Sequence, residues 1–125
     1  MEKEVVVLDT DKKQCKSLCT LLTDYEYIST AMNSLTNMDQ YLGESDCRAI
    51  ILNLDNVPVT NKILRDLKRK NPLINIIGLS ERQFHPELEE ALREYISVCL
   101  AQPADTDELV YWLKTIFENN ETLEG

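Results

Sequence analysis

The 125-residue sequence is poor in the features that mark several protein classes. Three glycines and four prolines are too few for a linker-rich or low-complexity chain. No hydrophobic run approaches the roughly 20 residues of a membrane-spanning helix, and residues 1–4 lack the basic and apolar regions of a signal peptide. Thirteen basic residues against 22 acidic ones give a net charge of −9, which argues against a surface that contacts nucleic acid. These absences favour one soluble, cytoplasmic domain that does not contact a membrane.

Metal-binding and disulfide patterns are also missing. The four cysteines are Cys15, Cys19, Cys47 and Cys99. They form no C-x-x-C pair, and a single histidine completes no zinc-type spacing, so no cofactor is expected. Cys15 and Cys19 share a helical stripe with Leu18 and Leu22, which is typical of cysteines that serve as small core residues. We expect Cys15, Cys19 and Cys99 to be reduced and buried.

Short apolar runs alternate with segments of helical periodicity along the chain. The strand-like runs cover residues 4–8, 27–32, 49–52, 73–79 and 97–101. The helical segments follow them near residues 12–24, 35–43, 63–70, 86–95 and 105–119. Because each short connection from strand to strand contains a helix, the strands must run parallel, with helices on both faces of the sheet. The sequence therefore predicts an α/β fold over residues 3–119: a five-stranded parallel sheet, doubly wound in the flavodoxin-like manner. Residues 120–125 are interpreted as a tail, partly vector-derived.

In such folds ligands bind beyond the carboxyl ends of the strands, so the residues that follow each strand are the candidates for a site. Asp9, Asp11 and Asp55 offer oxygen ligands of the kind that Mg²⁺ prefers, although helix capping, for which Asp11 is well placed, is the alternative. No glycine-rich turn follows the first strand, which excludes a dinucleotide fingerprint and a P-loop. No base is placed to activate Ser80, and His85 is interpreted as a loop residue at a helix entry. Enzymatic activity is not expected.

The strand ends resemble the receiver domain of bacterial two-component response regulators, over about residues 3–119. Four segments carry the resemblance: VVVLD (5–9), IILN (50–53), IIGLS (76–80) and LAQP (100–103). The resemblance implies these positions: an acidic pocket at Asp9, Thr10 and Asp11; a phosphoacceptor position at Asn53; and switch positions at Ser80, Cys99 and Gln102.

Four of these positions depart from the family pattern. The family has an aspartate where this chain has Asn53, a second acidic residue where it has Thr10, and a lysine where it has Gln102. Its aromatic switch position falls on Cys99. An asparagine amide cannot form an acyl phosphate, and it is a poorer Mg²⁺ ligand than a carboxylate. Without the lysine, a phosphoryl group would also lose its cationic partner. We therefore predict a degenerate receiver, or pseudo-receiver, with no metal site beyond weak Mg²⁺ binding at Asp9 and Asp11.

The predicted function is a signalling module that binds proteins without being phosphorylated, as the regulatory domain of a larger transcription regulator. By resemblance, a partner protein or a second copy would use the face formed by the fourth helix, fifth strand and fifth helix. Val110 and Tyr111 lie off the core stripe of the last helix and are the candidate exposed anchors, unless they are scattered surface residues. Two alternatives stay open: a phosphoacceptor at Asp55, which requires a two-residue shift of the third strand, and an unrelated flavodoxin-like domain that binds a small ligand.

Overall fold

The computed structural model describes the backbone of residues 3–124 and the side chains of residues 3–118. All five predicted strands are present: β1 Glu4–Leu8, β2 Ile28–Met32, β3 Ala49–Asn53, β4 Asn75–Ser80 and β5 Val98–Ala101. The helices between and after them are α1 Lys12–Asp24, α2 Met38–Glu44, α3 Asn61–Lys70, α4 Glu89–Glu94 and α5 Thr106–Glu124. The predicted alternation of strand and helix is confirmed.

The five strands form one parallel sheet in the order β2-β1-β3-β4-β5. The chain therefore passes from β1 outward to β2, returns to the other side of β1 for β3, and continues outward to β5. This reversal places a topological switch point between β1 and β3, where their carboxyl ends leave a crevice for a ligand. Val5 to Leu8 of β1 pair with Ala49 to Leu52 of β3, so Asp9 and Asn53 follow the last paired residues side by side.

Alternate residues of the central strands β1, β3 and β4 contribute to two apolar layers on opposite faces of the sheet, as the two-residue period of a strand requires. One layer lies under α1 and α5; it includes Val5, Val7, Cys15, Leu22, Ile51, Ile77, Leu109 and Leu113. The other lies under α2, α3 and α4; it includes Val6, Leu8, Met38, Leu42, Ile50, Leu64, Ile76 and Ala91. Because both faces are covered, the central strands are continuously apolar, as the sequence indicated.

Several predicted boundaries differ from the structure. Helix α2 begins at Met38 and not near residue 35, and β4 spans Asn75–Ser80 and not residues 73–79. The predicted helix of residues 86–95 begins as a 3₁₀ turn, Pro86–Leu88, and becomes α-helical only over Glu89–Glu94, because proline suits a first helical turn but donates no hydrogen bond. Helix α5 continues past the predicted end at residue 119. The prediction of a partly vector-derived tail at residues 120–125 falls outside the described side chains. Within the described residues, no helix combines the length and apolar character needed to cross a bilayer.

Candidate functional site

The carboxylate of Asp9 is the centre of a polar network at the carboxyl edge of the sheet. Asp9 directly follows β1 and is only 5% exposed. Its Oδ1 accepts hydrogen bonds from the Asp11 N–H (2.9 Å) and from Asn56 Nδ2 (3.0 Å), and its Oδ2 accepts from Asn53 Nδ2 (3.0 Å). All three donors are neutral, and Asp9 forms no ion pair within the described part of the chain. Hydrogen bonds from uncharged groups therefore stabilise this buried charge.

Asn53 is the last residue of β3, and it is 2% exposed. Because an ionised carboxylate only accepts hydrogen bonds, the amide nitrogen of Asn53 must face Asp9. The same nitrogen lies 3.4 Å from Gln14 Oε1, while Asn53 Oδ1 accepts the Asp55 N–H at 3.0 Å. Both ends of the amide are therefore satisfied. An aspartate at this position would instead bring two carboxylates together, which is unfavourable without a cation between them.

Ser80, at the end of β4, organises a second network. Its Oγ donates to Asp55 Oδ1 at 2.6 Å. A hydroxyl has one proton, so His85 Nε2, at 2.8 Å, must donate to Ser80 Oγ, as does the Arg82 N–H at 2.9 Å. The Glu81 N–H donates to Asp55 Oδ2 at 2.7 Å. Burial alone would raise the pKa of the Asp55 carboxyl, but the hydrogen bonds from Ser80 and Glu81 lower that pKa below its ordinary value.

His85 was missed as a site residue by the sequence analysis. It does lie in a loop before a helical turn, as predicted, but its side chain is buried beside Ser80. Its Nδ1 has no hydrogen-bond partner among the described residues, and the nearest carboxylate oxygen in an ion-pair geometry, Glu87 Oε1, lies 3.7 Å away. Because the serine stands between the carboxylate and the imidazole, and the imidazole donates to it, this arrangement does not activate a nucleophile. The only signal in the sequence was an isolated histidine five residues after the strand-end serine.

The loop after β3 reaches this network because β4 has no side chain at Gly78. A Cβ atom there would lie 3.0 Å from Leu54 Cδ1, closer than normal packing allows. Leu54 packs over this position and donates its N–H to the Leu79 carbonyl at 2.9 Å. The start of the loop therefore lies against β4, and the next residue, Asp55, is bonded to Ser80.

The remaining predicted pocket residues lie at the rim. Asp11 is exposed and caps α1 by accepting N–H groups of its first turn, as predicted. The hydroxyl of Thr10 lies 3.4 Å from the Asn56 carbonyl, to which it donates. Gln102 follows β5, and its peptide bond to Pro103 is cis. No group of three or more histidine, cysteine or acidic side chains suited to a metal ion occurs among the described residues.

Two expectations about exposure are wrong. Cys99 was expected to be buried, but it is exposed, because β5 is a short edge strand with a neighbour on one side only. Val110 was expected to be an exposed anchor, but it is 6% exposed, because it stands three and seven residues before Leu113 and Phe117 on the covered side of α5. Tyr111 is 61% exposed, as expected.

The other core cysteines agree better with the prediction. Cys15 is buried under the sheet and Cys19 is half-buried, and both are free thiols. Burial, with a smaller contribution from Cys19, raises the pKa of the Cys15 thiol to about 11.

Neither a family model nor a curated protein matches the sequence. The signal receiver domain of an HD domain-containing protein from Pseudomonas fluorescens Pf-5 is similar in structure, with a TM-score of 0.86 and 19% identity over 98% of this chain and 99% of that chain. A CheY-like response regulator receiver domain protein from Methanospirillum hungatei JF-1 gives a TM-score of 0.85 and 13% identity, with full coverage of both chains.

A further similar structure is a chain of the co-crystal of the Saccharomyces cerevisiae histidine phosphotransfer signaling protein Ypd1 and the receiver domain of its downstream response regulator Ssk1. Its TM-score is 0.71, with 15% identity over 90% of this chain and 86% of that chain. Sequence identities this low carry no statement about activity, but the agreement in element order and sheet topology extends over nearly the whole chain. The protein therefore has the fold of the response-regulator receiver domains.

Proposed function

We propose that this domain is a pseudo-receiver: a signalling module with the receiver fold that binds its partners without being phosphorylated. The observation that carries the proposal is the hydrogen bond from Asn53 Nδ2 to Asp9 Oδ2, at 3.0 Å. It joins the end of β3 to the end of β1 at the switch point, where the phosphoacceptor position of the resemblance lies. An amide at this position has no nucleophilic oxygen for phosphoryl transfer. The amide also donates a hydrogen bond to the Asp9 carboxylate, which would otherwise need another donor.

The state of Ser80 supports the same proposal. The resemblance makes Ser80 the switch hydroxyl, which would have to be available to a phosphoryl group. Here its single proton is donated to Asp55, and its oxygen accepts from His85 and from the Arg82 N–H. Releasing Ser80 would therefore cost three hydrogen bonds, of which the one with His85 is buried and the other two are partly buried.

Incubation with acetyl phosphate and Mg²⁺, followed by intact-protein mass spectrometry, tests the proposal. The wild type should gain no phosphoryl group. The Asn53→Asp variant restores a carboxylate and is the positive control for the chemistry of the pocket. A phosphoryl adduct on the wild type that disappears in Asp55→Asn would reject the pseudo-receiver and favour the alternative phosphoacceptor.

Asp55 stays the second candidate because its carboxylate is exposed and its pKa is lowered, so it is ionised at neutral pH. Its oxygens are, however, hydrogen-bonded to the Ser80 hydroxyl and the Glu81 N–H, at 2.6 and 2.7 Å. Short hydrogen bonds to an ionised acceptor are among the stronger kinds in proteins, and they draw charge from both oxygens and so weaken either one as a nucleophile.

We further propose that the partner, or a second copy, binds the face formed by α4, β5 and α5. Tyr111 is the large exposed aromatic on α5, and residues of this type often anchor interfaces. Structures with this fold include a domain of an HD domain-containing protein and a co-crystal of a phosphotransfer protein with a receiver domain. Both support the proposal that this chain is a regulatory domain of a larger protein. We propose that the larger protein is a transcription regulator.

Sedimentation velocity at micromolar concentration tests this face. A wild-type homodimer should dissociate in Tyr111→Glu and persist in Tyr25→Glu, a matched exposed tyrosine at the end of α1. A dimer that survives Tyr111→Glu would place the interface elsewhere. A wild type that stays monomeric would leave only a different protein as the partner.

A further inference from the structure

A groove of about 490 Å³ runs beside α1 at the carboxyl edge of the sheet. Its lining combines polar side chains with an apolar wall; the polar ones are Asp9, Lys13, Gln14, Ser17, Glu81 and Gln102. The apolar wall consists of Leu18 and Leu21 of α1 with Leu79, Pro103 and Ala104. The volume falls in the range of small-molecule sites, and the place matches the edge at which open α/β sheets bind ligands.

The polar side chains of the groove carry an excess of negative charge. Asp9 is buried and bonded only to neutral donors, and its Oδ2 accepts one hydrogen bond among the described residues although a carboxylate oxygen can accept two. Glu81 adds a second carboxylate to the lining, and Gln102 contributes an uncharged amide. Lys13 is the one cationic side chain of the lining, and it is exposed at the rim.

We propose that this groove binds a small organic ligand that carries a primary ammonium on an apolar body. The ammonium would donate to Asp9, and the apolar body would cover Leu18, Leu21 and Pro103. A neutral ligand of the same shape would further desolvate the Asp9 charge without compensating it, and an anionic ligand would meet two carboxylates. The proposal does not rest on the pseudo-receiver function, because it involves neither Mg²⁺ nor phosphoryl transfer.

Titration of the ¹⁵N-labelled protein, followed by ¹H–¹⁵N correlation spectra, tests the site with three probes of one shape. The probes are phenethylamine, the neutral 2-phenylethanol and the anionic 3-phenylpropanoate. We expect phenethylamine to give saturable shifts confined to residues 9–21 and 79–104, with an affinity at least about tenfold higher than that of 2-phenylethanol, because a charge-assisted hydrogen bond is gained. The carboxylate probe should bind most weakly.

Two variants test whether the polar side chains of the groove cause the preference for the amine over the alcohol. Asp9→Asn should abolish the preference for the amine, whereas Asp24→Asn, at the exposed end of α1, should leave it unchanged. Gln102→Lys is a second test of the same preference, and it leaves Asp9 and its hydrogen bonds in place. The tethered ammonium should weaken amine binding about tenfold and leave alcohol binding unaltered.

Lys13 is a competitor within the chain, since its flexible side chain lines the same groove. Removing this charge by Lys13→Met should strengthen amine binding. Equal affinities of amine and alcohol for the wild type, shifts outside the groove, or an amine preference that survives both Asp9→Asn and Gln102→Lys would each overturn the proposal. None of these results depends on whether acetyl phosphate modifies the protein.

Discussion

The carboxyl edge of the sheet contains two polar networks. Each is built around one carboxylate, and the two carboxylates differ in burial and in the groups that donate hydrogen bonds to them. Asp9 is buried, and neutral N–H donors from a backbone amide and two asparagines satisfy it. Asp55 is exposed, and it is bonded by a serine hydroxyl and a backbone N–H, with a buried histidine behind the serine. The first network depends on amide side chains and the second on a hydroxyl with one proton.

This difference shows how each network relates to the positions of the receiver pattern. At the first network, Asn53 supplies a hydrogen at the position where the family pattern would supply a second negative charge. At the second, the hydroxyl of Ser80 is present but fully engaged. The two networks meet at Asn53, whose Nδ2 donates to Asp9 and whose Oδ1 accepts the Asp55 N–H.

The largest expected effect comes from Asn53→Asp, which replaces the amide donor of the first network with a second carboxylate beside Asp9. Two buried carboxylates at hydrogen-bond distance should lower the free energy of unfolding by about 3 kcal/mol at neutral pH. Millimolar Mg²⁺ should restore much of the loss, because a cation between the carboxylates replaces the lost amide hydrogen. Urea denaturation with and without Mg²⁺ measures both effects.

Asn53→Ala is the matched control for this experiment, because it removes the same hydrogen bonds without adding charge. It should be destabilised by about 1–3 kcal/mol and should not respond to Mg²⁺. Equal responses of the two variants to Mg²⁺ would show that the ion acts elsewhere on the protein.

An intermediate effect is expected from His85→Ala, which removes the buried part of the second network. Loss of the imidazole leaves a cavity and deprives Ser80 Oγ of a donor, so the free energy of unfolding should fall by about 2 kcal/mol. The neighbouring Phe84 is 75% exposed, and Phe84→Ala should change stability by less than about 0.5 kcal/mol. Thermal or urea unfolding measures the stability of both variants. Equal losses would contradict the prediction and would show that His85 is only a loop residue.

The smallest expected effect concerns the pH dependence of Asp55. Its folded-state pKa lies below the ordinary value of 3.8, so the stability it contributes is fully present above that value and is lost as the pH falls through the folded pKa. Asp55→Asn should therefore be slightly less stable than the wild type at neutral pH, by less than about 1 kcal/mol for an exposed group. The gap should close below pH 3.8. Urea midpoints measured from neutral to acidic pH test this, and a constant gap would contradict it.

Much of the fold was predictable because it depends on periodicity along the chain. The continuous apolar run from Val5 to Leu8 and the helical stripe of α1 each indicate one element, and short connections that contain helices then require a parallel sheet. The approach of Asp9 to Asn53 was predictable for the same reason, since both directly follow parallel strands. The helix cap at Asp11 also follows from local chemistry alone.

The errors lie where an outcome depends on contacts between elements distant in sequence. The burial of Val110 depends on the rotation of α5 about its axis, and the exposure of Cys99 on the position of β5 at the sheet edge. A local pattern contains neither quantity.

By itself, the sequence determined the order of the elements, the parallel sheet and the amide at Asn53, because propensity, periodicity and side-chain chemistry are local properties. Only the tertiary structure decided that Asn56 would join Asp9, that Asp55 would bind Ser80, and that His85 would be buried behind them. These pairings depend on how loops fold back over the edge of the sheet, where side chains far apart in the chain compete for the same few hydrogen bonds.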